Sequence, residues 1–325
     1  MNYFLKFIAA LLVFSATGIG KTACAGSTRF PTENSIIYDA RFSQHGEVLF
    51  VADGQQVKAF NFTDGQTIRV FGNGHNDQIM SLAVSADSTL LASGDRSGLL
   101  LLHNLQTGSI IQSLSPHKGL IMALDISPGT KYLASGATDN KLVLYDLESA
   151  EIIRTFSEHT DDVLAVSFSQ DGKWLVSAAA DGTVVVIDME KLVVHQVITS
   201  HEAFLWDVQF APNSKLFISV GDDGRYVRHK VNEAGLFDET ESSKISRHWI
   251  TSIDYGGTED NFVMADGRGR VVLKTPISRV TASFEVPVNR ILYYPAKDHS
   301  IQLVAATRGK GVLYMHGSDM RFRAN

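Results

Sequence analysis

The sequence has a single cysteine among its 325 residues and only seven prolines. One cysteine cannot form a disulfide framework, a cysteine-based zinc site or an iron–sulfur cluster, because each of these needs at least two thiols. The net charge of −6 argues against a nucleic-acid groove, which would need a concentrated basic face. There is no collagen period and no low-complexity tract, and a content of 44% hydrophobic residues is too high for a disordered chain. What remains is a mildly acidic globular protein.

Residues 1–25 predict a secretory signal peptide. One lysine precedes the apolar run Phe7–Ile19, and Ala23-Cys24-Ala25 ends in the small-x-small pattern that a signal peptidase accepts. The run is too short for a membrane anchor, and Lys21 lies where a lipoprotein signal has an aliphatic residue. We therefore expect a mature chain that starts near Gly26 and contains no cysteine, which suits a periplasmic or secreted protein.

The rest of the chain repeats with a period of 42 residues. Histidines recur in phase at His75, His117, His159 and His201. Serines follow each histidine after 18 residues, at Ser93, Ser135, Ser177 and Ser219. A turn position holds Ser97, Asp139, Asp181 and Asp223. Between these markers lie short β-type apolar runs separated by glycine-containing turns, so each unit predicts four antiparallel strands.

These repeats resemble the WD-repeat β-propeller family. Gly74-His75, Asp139, Asp181-Gly182 and Tyr145-Asp146 stand where that family has its Gly-His, its turn Asp and its Trp-Asp. The resemblance covers about residues 35–317 and implies an all-β fold, a single seven-bladed propeller of four-stranded antiparallel blades within residues 26–325. The expected blades are 35–73, 74–115, 116–157, 158–199, 200–245, 246–284 and 285–317. The outer strand of the last blade would come from 27–34, which we favour, or from 319–323.

The chain departs from the family in the tryptophan of the repeat. His103, Tyr145, Ile187 and His229 occupy that position, and Ser97 replaces the turn Asp of blade 2. We therefore expect the family's hydrogen-bonded His–Ser–Asp–Trp cluster to be incomplete in every blade, and the blades to be held mainly by packing. The three remaining sets are His117/Ser135/Asp139, His159/Ser177/Asp181 and His201/Ser219/Asp223. A catalytic triad occurs once per site, so three copies favour a structural role.

The resemblance also locates a docking face. Partners of such propellers commonly bind the narrow face, at positions on either side of the start of each innermost strand. The first of these positions is occupied by Ile36, Gln78, Leu120, Asp162, Phe204, Trp249 and Pro287, and the second by Tyr38, Met80, Met122, Leu164, Trp206, Thr251 and Asn289. Apolar patches rich in Trp, Tyr and Met are typical of protein-binding surfaces. The alternative is that these side chains plug the channel and stack on one another.

We interpret the chain as an exported, non-catalytic scaffold or adaptor. Its partner would bind Tyr38, Met80, Leu120, Met122, Asp162, Leu164, Phe204, Trp206 and Trp249 on the narrow face. Two alternatives stay open: a maturation factor of a periplasmic redox metalloenzyme, such as a nitrate-reductase-type system, and a propeller hydrolase or lactonase. We expect a monomer with no cofactor, no metal, no nucleic-acid partner and no membrane insertion of the mature chain. Fold class alone does not choose among such functions.

Overall fold

The computed structural model describes residues 27–72, 74–276, 278–295 and 301–316. The secondary-structure elements within these ranges are all β-strands. No helix long and apolar enough to cross a membrane occurs among these residues. The predicted signal peptide and the alternative closing segment 319–323 lie outside the described residues.

After a separate first strand, the strands follow one another in six groups of four and a last group of three. Strand β1 (Ser27–Phe30) comes first. Blade 1 contains β2 (Ala40–Phe42), β3 (Val48–Asp53), β4 (Gln56–Asn61) and β5 (Thr67–Phe71); blade 2 contains β6 (Ile79–Val84), β7 (Leu90–Asp95), β8 (Leu100–Asn104) and β9 (Ile110–Leu114); blade 3 contains β10 (Ile121–Ile126), β11 (Tyr132–Ala137), β12 (Leu142–Asp146) and β13 (Glu151–Phe156). Blade 4 contains β14 (Val163–Phe168), β15 (Trp174–Ala179), β16 (Thr183–Asp188) and β17 (Val193–Thr199). Blade 5 contains β18 (Leu205–Phe210), β19 (Leu216–Gly221), β20 (Arg225–Val231) and β21 (Phe237–Lys244); blade 6 contains β22 (Ile250–Tyr255), β23 (Phe262–Asp266), β24 (Arg270–Lys274) and β25 (Arg279–Ser283); blade 7 contains β26 (Val288–Pro295), β27 (Ile301–Thr307) and β28 (Val312–His316).

Each group forms its own antiparallel sheet. Among the described strands, consecutive strands are hydrogen-bonded neighbours in all seven sheets, and the only non-consecutive neighbours are β1 and β28. This arrangement confirms the predicted seven-bladed propeller of four-stranded blades.

The burial of the strands explains why these sequences form blades. The two middle strands of blade 4, β15 and β16, are buried on both faces and have nearly continuous apolar sequences, whereas the outer strand β17 has exposed and half-buried positions. The core lies between blades, as where Ile218 of blade 5 packs against Ile253 and Phe262 of blade 6. Full burial of such a side chain contributes about 1.5–3 kcal/mol.

The N-terminal segment closes the ring. Strand β1 runs antiparallel to β28, with Ser27 opposite Tyr314 and Phe30 opposite Val312. The strand ends immediately before Pro31, which has no N–H to donate to a ladder. This is the alternative that the sequence favoured for closure. Blades 7 and 1 are joined further by the Asn289 amide, which donates to the carbonyl oxygen of Ile37 at 2.8 Å.

Candidate functional site

One end of the propeller carries all connectors that lead into the described blades. Because strands alternate in direction within a blade, the turns between second and third strands lie at this same end. Each turn is tied to its connector, as where the Ala180 N–H donates to the Asp162 carbonyl at 2.9 Å and the Asp222 N–H donates to the Phe204 carbonyl at 2.9 Å. We call this end the narrow face. Its connectors are residues 31–36, 74–78, 115–120, 157–162, 200–204, 245–249 and 284–287, and its turns are 54–55, 96–99, 138–141, 180–182, 222–224, 267–269 and 308–311.

The second set of sequence-predicted positions surrounds the mouth of the central channel. All seven side chains line one cavity, and we call them the mouth ring: Tyr38, Met80, Met122, Leu164, Trp206, Thr251 and Asn289. Most members of the ring are half-buried, and Met80 is buried with 8% of its surface exposed. Met80 is therefore not the solvent-facing residue that the sequence predicted.

The first set of positions lies further out and is more exposed. We call it the rim: Ile36, Gln78, Leu120, Asp162, Phe204, Trp249 and Pro287. Phe204 is 46% exposed, Ile36 is 39% exposed and Trp249 is 38% exposed, whereas Leu120 and Asp162 are half-buried. Partial burial and the neighbouring Asp161 carboxylate raise the pKa of Asp162. Large exposed side chains on a rigid support are typical of binding surfaces.

Two tryptophans of this face are held in place. The indole N–H of Trp206 donates to a carboxylate oxygen of Asp222 at 2.6 Å. The indole of Trp249 lies so close to Gly267 that a Cβ there would be 2.0 Å from its Nε1 atom. Glycine at position 267 thus lets the ring lie against the backbone. Ordered aromatic side chains lose little rotamer entropy on binding, so both are suited to anchor a partner.

Below the mouth ring, the channel contains a charged cluster that the sequence analysis missed. The Arg290 guanidinium donates to a carboxylate oxygen of Asp207 at 3.0 Å and lies 3.7 Å from Asp39. Arg41 forms a second ion pair with Asp39 at 3.3 Å. These residues come from blades 1, 5 and 7, so the cluster ties separate blades together. The repeat contained a sign of this cluster, because Asp39 and Asp207 occupy the same repeat position near the start of their inner strands.

Two more aspartates, Asp125 and Asp254, lie deeper in the channel. Burial raises the pKa of Asp125 to about 6, against the opposing effect of its hydrogen bond from the Phe168 N–H. Burial likewise raises the pKa of Asp254, whose carboxylate accepts from Gln209 and from the Tyr293 N–H. Within the described residues no group of three or more His, Cys, Asp or Glu side chains could hold a metal ion. The channel thus contains paired or hydrogen-bonded carboxylates, a structural arrangement.

The repeated His–Ser–Asp sets form the hydrogen-bonded clusters that their spacing predicts. In blade 4, His159 Nδ1 lies 3.1 Å from Asp181 and Nε2 lies 2.8 Å from Ser177. Blades 3 and 5 repeat this geometry, with 2.9 Å from His117 to Asp139 and 2.9 Å from His201 to Asp223. Ser135 and Ser219 lie 2.7 Å and 2.9 Å from the Nε2 atoms of these histidines. Three equivalent sets inside separate blades fit the structural role, because each satisfies buried polar atoms.

Two expectations about these clusters were wrong. Blade 2 has its aspartate after all, since Asp95 lies 2.8 Å from His75 Nδ1, two residues before the position that holds Ser97. The family's tryptophan is also replaced functionally in two blades, because Nε2 of His103 lies 3.3 Å from the Ser93 hydroxyl and Nε2 of His229 lies 3.2 Å from that of Ser219. The clusters of blades 2 and 5 therefore have four members.

The substituting histidines are unusually enclosed. Burial, reinforced by the neighbouring His201, lowers the pKa of His229 to about 3, and burial with His75 lowers the pKa of His103 to about 4. The Nδ1 atoms of both rings find no hydrogen-bond partner among the described residues. A neutral ring with an unprotonated Nδ1 and a donating Nε2–H satisfies this environment best, since a charged ring would leave a buried donor unpaired.

Seven four-stranded blades define the fold as a seven-bladed β-propeller, and four consecutive repeats of the chain match the WD40 repeat. The sequence profile described as "WD domain, G-beta repeat" matches residues 65–104, 108–146, 150–188 and 193–225, which are four consecutive WD40 repeats. A stretch of 62 residues is 44% identical to the "WD repeat domain-containing protein 83 homolog" of Dictyostelium discoideum. That match covers 19% of this chain and 19% of the relative, so the chain spans about a fifth of the curated relative that it matches.

Proposed function

We propose that this protein is an exported, non-catalytic scaffold that binds a partner protein on its narrow face. WD40 propellers generally mediate protein–protein interactions, which supports the class of function. The observation that carries the proposal is the exposure of Phe204 and Trp249 at the rim, 46% and 38%, beside the anchored Trp206. Rigid aromatic side chains that become desolvated at an interface supply most of its binding energy.

A non-catalytic role is supported by what the polar side chains already do. The His–Ser–Asp sets satisfy one another inside the blades, and Arg41 and Arg290 pair with the channel carboxylates Asp39 and Asp207. A hydrolytic site would need such carboxylates free to hold a metal or to activate water.

Export is proposed from the leader pattern alone. N-terminal sequencing of the protein from a cell-envelope fraction should give a chain that starts near Gly26. An intact Met1 in the cytoplasmic fraction would contradict this part of the proposal.

The partner-binding role is tested by capture followed by affinity measurement. The purified protein is used to capture partners from envelope extract, and the dissociation constant of an identified partner is then measured for Phe204→Ala and Trp249→Ala. Truncation of a hot-spot side chain typically costs about 2 kcal/mol or more, or about thirtyfold in affinity. Phe204→Ala should leave the free energy of unfolding within about 0.5 kcal/mol of wild type, since its side chain is largely exposed.

A matched control uses an equally exposed apolar residue elsewhere. Ile68, on the outer strand of blade 1, is 56% exposed and is far from the narrow face. Ile68→Ala should retain the partner fully. Loss of stability in the rim variants with normal partner retention would show that the aromatic residues are core, and the assignment of this face would then be wrong.

A further inference from the structure

The exposed charges of the narrow face are divided between two halves. The connectors and turns of blades 4 and 5 contain no lysine or arginine, although the exposed Arg225 follows the turn of blade 5 directly, at the position that Lys141 has in blade 3. Their acidic side chains outside the His–Asp pairs are the exposed Glu158, Asp161, Glu202 and Asp222 and the half-buried Asp162. Those of blades 6 and 7 contain the exposed residues Arg247, Arg268, Arg308 and Lys310 against a single exposed acid, Glu285. The boundary between the two halves runs between blades 5 and 6, where Phe204 and Trp249 are both exposed.

This layout is complementary to itself. A twofold axis in the plane of the face, passing between blades 5 and 6 and across blade 2, would set blade 5 on blade 6 and blade 4 on blade 7 of a second copy. The acidic blades 4 and 5 of each copy then face the basic blades 7 and 6 of the other copy. Such an axis gives an isologous contact that closes on two copies and leaves no free complementary surface.

The remaining blades agree with the same axis. It sets blade 3, which exposes Lys118 and Lys141, on blade 1, whose exposed acid Glu33 forms an ion pair with Lys58 of the same chain at 2.8 Å. Blade 2 meets its own copy, and it exposes one residue of each sign, Asp77 and Arg96. No blade with a net charge on this face is placed against a blade whose net charge has the same sign. Charge complementarity of this kind fixes the register of an interface and excludes other arrangements.

The apolar residues pair under the axis as well. Phe204 of one copy falls opposite Trp249 of the other, so the two most exposed aromatic residues of the rim cover each other twice. Ile36, 39% exposed, falls opposite Leu120, and Tyr38 falls opposite Met122. The exposed apolar side chains of this face thus lie opposite one another across the contact between the two copies.

We propose that the narrow face docks reversibly onto a second copy of this chain, and that this closed dimer competes with partner binding. The proposal rests on the proposed function, in that the partner would bind the same face of the monomer. It departs from the monomer expected from the sequence. Dimer formation would cover the exposed aromatic residues whenever no partner is present.

The test is sedimentation of the purified protein with three matched double variants. The acid-reversed variant is Asp161→Lys/Glu202→Lys, and the base-reversed variant is Arg247→Glu/Arg268→Glu. The control reverses two exposed lysines at the opposite end of the propeller, Lys173→Glu/Lys215→Glu. Wild type and control should form dimers at low salt and dissociate toward 1 M salt, where the Debye length falls to about 3 Å.

Each reversed variant alone should self-associate at least about tenfold more weakly, because the two reversed charges weaken the attraction between the half that carries them and the unchanged half of the other copy. An equimolar mixture of the two reversed variants should restore a species of two chains at low salt. Restoration by mixing requires the acidic half of one copy to meet the basic half of the other, which a general loss of stability cannot mimic.

Several results would overturn the proposal. These are a wild type that stays monomeric at low salt, a dimer that neither reversal weakens, or a mixture that does not reassociate. A monomeric wild type whose rim variants still lose the partner would refute the dimer and leave the proposed function standing. A dimer lost in Trp249→Ala with full partner retention would support self-docking and refute the proposed function.

Discussion

Replacing His229 should change how the stability of the protein depends on pH. Its imidazole is fully enclosed, stacks on Phe217 with ring centroids 4.6 Å apart, and has its pKa lowered to about 3 chiefly by burial. In the unfolded chain the same group titrates near its ordinary value of 6.5. Below that pH the imidazole binds a proton in the unfolded chain but not in the folded chain. The contribution of His229 to folding stability is therefore fully present above about pH 6.5 and is lost as the pH falls toward 3.

The size of this loss follows from the two pKa values. Each pH unit between them costs about 1.4 kcal/mol, so acidification from pH 7 to pH 5 should cost about 2 kcal/mol through His229 alone. His103, with a pKa of about 4, should contribute a similar loss over the same interval. Asp125 acts in the opposite direction, because its raised pKa of about 6 lets the folded chain bind a proton first. The comparison must therefore be between wild type and a histidine variant.

The assay is urea unfolding at pH 7, 6 and 5 for wild type, His229→Phe and His103→Phe/His229→Phe. Between pH 7 and pH 5 the single variant should lose about 2 kcal/mol less than wild type, and the double variant about 4 kcal/mol less. Tyr145→Phe is the control, because Tyr145 occupies the same position in blade 3 and burial raises its pKa further from this range. Parallel curves for wild type and His229→Phe, within about 0.5 kcal/mol, would refute the buried neutral histidine.

Three further predictions concern stability and assembly. Asp181→Ala and Asp95→Ala should each cost about 1–3 kcal/mol of unfolding free energy, because each removes the carboxylate that is hydrogen-bonded to a buried histidine. A loss below about 0.5 kcal/mol in urea unfolding would contradict this. Arg290→Met should cost about 3–5 kcal/mol by leaving channel carboxylates unpaired, and Asp207→Asn in the same chain should recover part of it in the same assay. Removal of Ser27–Phe30 should expose the edge of blade 7 and cause concentration-dependent aggregation in light scattering, whereas a chain that stays monomeric with unchanged melting would show that closure adds little.

The sequence predicted the parts of the structure that repeat with a fixed step. The period of His117, His159 and His201 placed the strands and the clusters correctly, because position in a repeat determines position in a blade. The period failed where a residue has the same role at a different repeat position. Asp95 contacts His75, but it lies two residues before the repeat position that Asp139 and Asp181 occupy in their blades.

The channel cluster could not be predicted by the same route. Asp39, Asp207 and Arg290 are separated by scores of residues and meet only because the ring closes. The exposure of the docking positions also could not be predicted from the sequence. Met80 and Phe204 both belong to these positions, yet Met80 is 8% exposed and Phe204 is 46% exposed. Burial at the end of a strand depends on neighbouring connectors, which no period specifies.

Closure by β1 has a consequence for the order in which the molecule assembles. Ser27 pairs with Tyr314, so the first strand that leaves the ribosome must wait for a partner 287 residues later. Joining two points of a flexible chain at that separation costs about 5 kcal/mol in chain entropy, far more than any hairpin within a blade. Hairpins and blades should therefore form early and locally, and the ring should be sealed in a final, slow step of folding. Until the ring closes, the last blade has an unpaired strand edge. The lifetime of this open state sets the period during which unpaired edges of different chains can pair with one another and cause aggregation.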